Sequence, residues 1–341
     1  MVALLWIGFL LFVLIMLALD LGVFNRQAHV ISTREALRWT GLCVALALVF
    51  TGVVYYIYQH NWFDIAALET LEKAQQHNTT PGRLAALEFL LGYIIEMSLS
   101  LDNIFVIALI FSYFGVPRIY QHRVLFWGIM GALVMRGIMI GVGVALILKF
   151  HWMIYAFGAL LIYTAFRMLF AGEGKVEPER NPLVRFARRI YPVTTHFEDE
   201  KFFTHLNGRR AITPLFLCLL VIESTDVLFA VDSIPAIFGI TKDPFIVFTS
   251  NVFAILCLRS MYFALAGMLA YFQHLKYSLI ALLFYVGVKM LISDIAPIPP
   301  LLSLAIIVLL LGIGMAASLL HPARPTVTPA EPQPSEDDVG L

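Results

Sequence analysis

Charge is scarce in this chain of 341 residues: only 13% are Asp, Glu, Lys or Arg, where soluble domains carry about 25%. Hydrophobic residues make up 60%, and the mean hydropathy is +0.85, which excludes an ordinary soluble globular domain. Neither sign of charge dominates, since 23 basic residues stand against 23 acidic ones. That balance gives no reason to expect a nucleic-acid partner. Cysteine is nearly missing too. Cys43, Cys218 and Cys257 are far apart in sequence within apolar stretches, a spacing that suits no disulfide framework, zinc site or C-x-x-C redox pair. No G-x-x-x-x-G-K-[ST] occurs, and the Gly172-Glu-Gly-Lys175 stretch is too short a loop to cradle phosphate. Every histidine falls in a loop or at the end of an apolar run, so no haem pair is expected.

Long hydrophobic runs fill most of the chain. The first, Val2 to Phe24, has no basic leader and no small-residue cleavage site, and reads as a retained transmembrane helix rather than a signal peptide. A span needs about 20 mainly apolar residues. On that rule nine are expected, near 3–24, 36–58, 85–114, 124–148, 152–170, 212–238, 245–269, 275–292 and 300–320. The fold class is therefore all-α and polytopic, a single transmembrane domain over 1–320. The third run is longer than a bilayer requires and is expected to tilt or break. One long loop, 172–210, interrupts the pattern, and the Pro-rich acidic tail, 321–341, is expected to be disordered. With the N-terminus outside, fifteen basic residues fall on the inner segments and four on the outer ones. The positive-inside rule then predicts N-out and C-in, with loop 172–210 and the tail cytoplasmic.

The chain repeats itself. SLDNIFV, from Ser100 to Val106, matches STDVLFA, from Ser224 to Ala230, and aligns Asp102 with Asp226. Arg136 then aligns with Arg259, and Arg167 with Lys289, at intervals of 34 and 31 residues against 33 and 30. The lead spans run in opposite directions, so two inverted halves of three spans are expected, about 85–170 and 212–292. Transporters that use this plan place substrate near the midplane between the halves. An old duplication without mechanistic meaning is the alternative.

Five carboxylates lie within the two lead spans: Glu96 and Asp102 in one, Glu223, Asp226 and Asp232 in the other. Uncompensated, they would cost ~13–18 kcal/mol on insertion scales. They must face a cavity, meet cations or bind a ligand. Helical rise puts Glu96 and Asp232 ~9 Å to the outer side of Asp102 and Asp226, and Glu223 ~4.5 Å to the inner side. The acids form a ladder across the membrane. Glu96 and Asp102 are about 120° apart in helical phase, so both meet one ion only if the helix unwinds. In the second lead span Pro235 cannot donate to the carbonyl of Val231, which suggests a break that frees oxygen ligands. With Asn103, Ser98, Ser100, Ser224, Thr225 and Ser233 nearby, the donor set is all oxygen, which suits magnesium, calcium or manganese. Arg136 and Arg259, at mid-span, either pair with Asp102 and Asp226, cap freed carbonyls, or gate. Arg167 and Lys289 are expected to snorkel to water. Asp20 and Glu88 read as interfacial, and the aromatics as lipid-facing bulk and interfacial belt.

At these residues the chain resembles the TerC family of integral membrane proteins. The resemblance rests on GYIIEMSLSLDNIF (Gly92–Phe105), ESTDVLFAVDSIPAIF (Glu223–Phe238), DPFIVFTSN (Asp243–Asn251) and LRSMYF (Leu258–Phe263), and extends over about 3–320. It implies a bacterial inner-membrane exporter of manganese(II), related to lysine exporters, with metal-site positions at Glu96, Asp102, Asn103, Glu223, Asp226, Asp232 and Ser233. Some members of that family are described as redox modulators or as responding to alkaline pH. From the residues, the expectation is a secondary transporter with no prosthetic group and no enzymatic step, in which protons are the coupling ion. A redox modulator and an assembly partner are the competing classes.

Overall fold

The computed structural model describes residues 2–19, 32–65, 68–76, 78–150, 152–170, 181–194, 196–206, 208–265, 275–293 and 295–320. Asp20, Asp294, most of the first third of loop 172–210 and the tail lie outside the described residues. Eleven helices are described: α1 (Val2–Leu19), α2 (Thr33–Gln59), α3 (Leu68–Gln76), α4 (Pro81–Phe114), α5 (Arg118–Lys149), α6 (Met153–Phe170), α7 (Pro182–Ile190), α8 (Pro214–Phe238), α9 (Pro244–Leu265), α10 (Leu275–Leu291) and α11 (Pro300–Leu320). One antiparallel hairpin, β1 (Phe203–Leu206) and β2 (Arg209–Ile212), and a short 3-10 turn at Trp62–Asp64 complete the described elements. This is an all-α multi-pass membrane protein.

Local chemistry sets the helix ends. Ser32 accepts from the Glu35 amide and Thr80 from the Arg83 amide, each occupying a donor at a helix start. Pro81, Pro182 and Pro214 open their helices where a missing N–H costs nothing. Gly115 ends α4 with φ of +61°, a left-handed turn that favours glycine.

Eight described helices are long and apolar enough to cross a bilayer: α1, α2, α4, α5, α6, α8, α9 and α11. The ninth expected span, α10, has 17 residues, about 26 Å, with Lys276 and Lys289 close to its ends. The sequence-based count of nine therefore stands one above the number that qualifies by length and composition. α4 runs for 34 residues, about 51 Å, without interruption, so the expected break there does not occur. α8 also continues through Pro235 to Phe238. The proline sits in the last turn, where the helix is ending and only the Val231 carbonyl loses its donor.

Polarity is arranged inside out. Leu4, Val49, Val134, Leu148 and Phe170 face outward, as a bilayer requires, while α9 is enclosed, with Thr249, Ser250 and Asn251 fully buried. α9 lies between α2, α4 and α5. The two triplets pack reciprocally: α4 lies against α9 as α8 lies against α5, and α6 against α10. At that last crossing a Cβ on Gly158 would stand 3.0 Å from the Gly287 carbonyl, and one on Gly287 would stand 2.9 Å from the Gly158 carbonyl. Only glycine lets the two backbones meet this closely.

Two expectations need correction. Phe9, Phe89, Phe245 and Phe253 are not lipid-facing bulk. They are buried, and with Phe50 they tie α1 and α2 to α4 and α9, the Phe50 and Phe253 rings being 4.7 Å apart. Loop 172–210 contains ordered elements: α7 packs on α8, and Arg123 of α5 reaches Glu200 at 3.3 Å and covers the Phe202 ring.

Candidate ion-binding site

The centre is Arg136, at the middle of α5 and 2% exposed. Its guanidinium forks onto Asp226 of α8, Nε to Oδ2 at 3.2 Å and Nη2 to Oδ1 at 2.9 Å. Nη1 forms an ion pair with Glu96 of α4, and lies 3.4 Å from Ser233 Oγ and 3.5 Å from Asn251 Oδ1. One cation thus joins an acid from each half of the repeat. The planar, bidentate fit is the geometry for which arginine is suited and lysine is not. The charges do not balance, because two carboxylates share one guanidinium. Glu96 Oε2, Asn103 Oδ1 and Asn251 Nδ2 are buried and have no hydrogen-bond partner among the described residues. Buried polar atoms are nearly always paired, so these three are unusual.

A cavity of about 20 Å³ adjoins this cluster, with Asn103, Thr225 and Asp226 as its polar lining and Ile107, Ile129 and Phe229 among its apolar walls. That volume suits about one water or a largely dehydrated ion.

The remaining expected residues divide around this centre. The Glu223 carboxylate rests on α5 at Gly131, where any Cβ would overlap it. Asp232 turns to α6 and accepts from Thr164 at 2.9 Å. Ser233 joins the Arg136 shell. Asp102 is half-buried and has no hydrogen-bond or ion-pair partner among the described residues, so the expected pairing of Arg136 with Asp102 is not found. The reason is helical phase: with α4 unbroken, Asp102 and Glu96 stay on different faces, and Glu96 is the one that meets Arg136. Arg259 is buried at 4% exposure in α9. Among the described residues, no three His, Cys, Asp or Glu side chains converge as a preformed metal cluster.

Residues 82–326 match the model of the integral membrane protein TerC family. The chain belongs to the TerC family. It is 50% identical to an uncharacterized membrane protein, STKORF319, of Myxococcus xanthus, over 93% of this chain and 92% of that one. It is 45% identical to an Escherichia coli K12 protein named "Putative membrane-bound redox modulator Alx", over 89% and 90% of the two chains. A Rickettsia bellii membrane protein is 36% identical over 93% and 97%. No solved structure matches the chain.

Within this TerC chain several polar residues escaped sequence reasoning. Asn251, the last residue of the DPFIVFTSN segment, stands against Arg136. Its signal is the polar triplet Thr249-Ser250-Asn251 inside an apolar span. Glu88, expected at the interface, is 3% exposed and lies in the positive field of Lys73 first and of Lys289 second, beside Thr241. Lys289 does not snorkel. It turns inward to Ser303 of α11 at 3.3 Å, whereas Arg167 is exposed as expected. Asp243, just before α9, accepts from Tyr58 at 2.8 Å and from the Phe245 amide at 2.9 Å. Burial pushes its carboxyl above the usual range, opposed by those hydrogen bonds. The cysteines are also less scattered than the sequence implies. Cys257 Sγ is 4.0 Å from the Thr40 carbonyl of α2, and the Cys43 thiol lies within its hydrogen-bonding reach.

Proposed function

We propose that this TerC-family protein is a secondary transporter that exports a divalent cation, manganese(II) above all, in exchange for protons. One observation carries this reading: Glu96 and Asp226, one from each half, meet on a buried arginine beside a small cavity to which Asn103, Thr225 and Asp226 present oxygen atoms. A buried ion pair is a poor way to stabilise a fold, since well-packed apolar side chains often serve as well or better. Its natural use is exchange. Arg136 stands in for a cation while the site is empty, and a metal ion entering the cavity displaces it from the carboxylates. The oxygen donors suit manganese, magnesium or calcium and suit zinc or copper poorly.

Charge arithmetic supplies the coupling. Glu96, Asp102, Glu223, Asp226 and Asp232, with Arg136 and Arg259, total −3 when every group is ionised. One divalent cation leaves −1, so a carboxylate holds a proton when the site is empty. Metal binding needs deprotonated ligands and expels protons. An inward proton gradient then drives the metal outward, and the inner membrane of a bacterium is where such a gradient exists. In proteoliposomes, manganese should move toward the acidic side of an imposed pH gradient, with proton counterflow. Flux indifferent to that gradient at matched membrane potential would leave a uniporter or another coupling ion.

The redox reading has two supports, the name of the Escherichia coli relative and the closeness of Cys43 to Cys257. Against it, thiols in apolar surroundings stay protonated and are inert. Titrating free thiols after exposure to a lipid-soluble quinone distinguishes the readings, since a redox device loses two of its three thiols.

A further inference from the structure

Helix α7 has three faces, and transport accounts for none of them. Val184 and Ala187 are buried in the core that includes Leu217, Cys218 and Val221 of α8. Leu183, Phe186 and Ile190, spaced i, i+3 and i+7, form an apolar stripe on the outside, Phe186 being 64% exposed. Arg185 and Arg189, one turn apart, form an exposed third face. Beyond the helix, β2 adds exposed Arg209 and Arg210, and it is tied to the end of α7 by the Ile212 amide, which donates to the Pro192 carbonyl at 2.9 Å.

The depth of α7 is set at both ends. Asn181, its N-cap, donates to Ser224 Oγ at 2.5 Å while accepting from the Leu183 and Val184 amides. Ser224 is ten residues along α8, ~15 Å from its start. The other end of α7 lies beside Ile212, where α8 begins. The helix therefore runs antiparallel to the first turns of a membrane-spanning helix, with its apolar stripe exposed. A helix that stands along a spanning helix with an apolar stripe beside arginines can bury the stripe among acyl chains while the long arginine side chains reach back to the headgroups.

We propose that α7 is a docking surface for anionic phospholipid: Leu183, Phe186 and Ile190 contact acyl chains, and Arg185 and Arg189 hold the phosphate headgroups. Charge complementarity selects the occupant. Across 181–212 six basic residues face three acids, and each arginine near an anionic surface contributes about 1 kcal/mol, or roughly fivefold in association. Through Asn181 the bound lipid also steadies α8 at Ser224, between Glu223 and Asp226. The inference is independent of which ion is carried, because its test reads lipid contact and not flux.

The test uses the full chain in proteoliposomes, in a cysteine-free background with a fluorophore on Phe186→Cys. Brominated phosphatidylglycerol should quench it more than brominated phosphatidylcholine. Arg185→Gln with Arg189→Gln should lower that preference roughly 25-fold, two steps of fivefold. Should the double variant fail to insert, the salt dependence of the parent decides, since the preference must fall as salt rises. Equal quenching by both lipids overturns the proposal. So does quenching by aqueous iodide in place of either lipid, which would assign the stripe to a soluble protein partner.

Discussion

Arg136 is the residue on which the buried charge depends. Removing it leaves Glu96 and Asp226 facing each other at low dielectric, and breaking such a pair costs on the order of 3–5 kcal/mol. Arg136→Gln should therefore melt well below the parent in detergent. If the guanidinium and the metal compete for the same oxygens, manganese should raise the melting temperature of this variant more than that of the parent. Equal shifts would mean the ion binds elsewhere. Flux measurements separate the acids further. Asp226→Asn and Asp102→Asn should each abolish manganese movement while folded protein remains in the membrane, and Glu88→Gln, outside the Arg136 cluster, should be mild. Normal flux in Asp102→Asn would confine the site to the Arg136 cluster, which Asp102 does not join.

Between elements, close approach is what the chain specifies most tightly. The α6–α10 crossing depends on Gly158 and Gly287, each carbonyl about one van der Waals contact from the other helix. Gly158→Leu should force the pair apart and cost about 1–3 kcal/mol, as overpacking does, readable as a lower thermal midpoint. Gly131→Ala is the functional counterpart. It places a methyl where the Glu223 carboxylate now rests against α5, and so should weaken manganese flux with little change in stability. A large loss of stability with normal flux would make Gly131 a packing residue only. None of these three glycines stands out in the sequence, because apolar helices contain many and only the facing helix shows which are needed.

At the scale of the whole molecule, orientation follows from the basic residues and the bundle follows from the reciprocal halves. Fifteen basic residues on one side against four on the other predict that α7 and the hairpin lie inside and the α3–α4 connection outside. Single cysteines at Asn78 and Arg209, in a cysteine-free background, should label from opposite sides of the membrane with an impermeant reagent. Labelling of both from the same side would overturn this topology.

Sequence alone determined that the chain crosses a membrane, where most spans start and stop, and that two segments with matching residues recur in register. These properties are local or periodic: hydropathy sums along a segment, caps act within a turn, and a duplication leaves residues in register. It also singled out the buried acids, because a carboxylate in an apolar run has no local explanation. Which acid meets which arginine was decided only by the tertiary structure. Glu96 and Asp102 are equally conspicuous in sequence, but an unbroken α4 presents them to different neighbours, and α5 offers Arg136 to just one. The same holds for Asn251 and Asp232, whose roles depend on what α5 and α6 bring against them. Pairing across helices depends on phase and on crossing geometry, and both are fixed by side chains far away in the sequence.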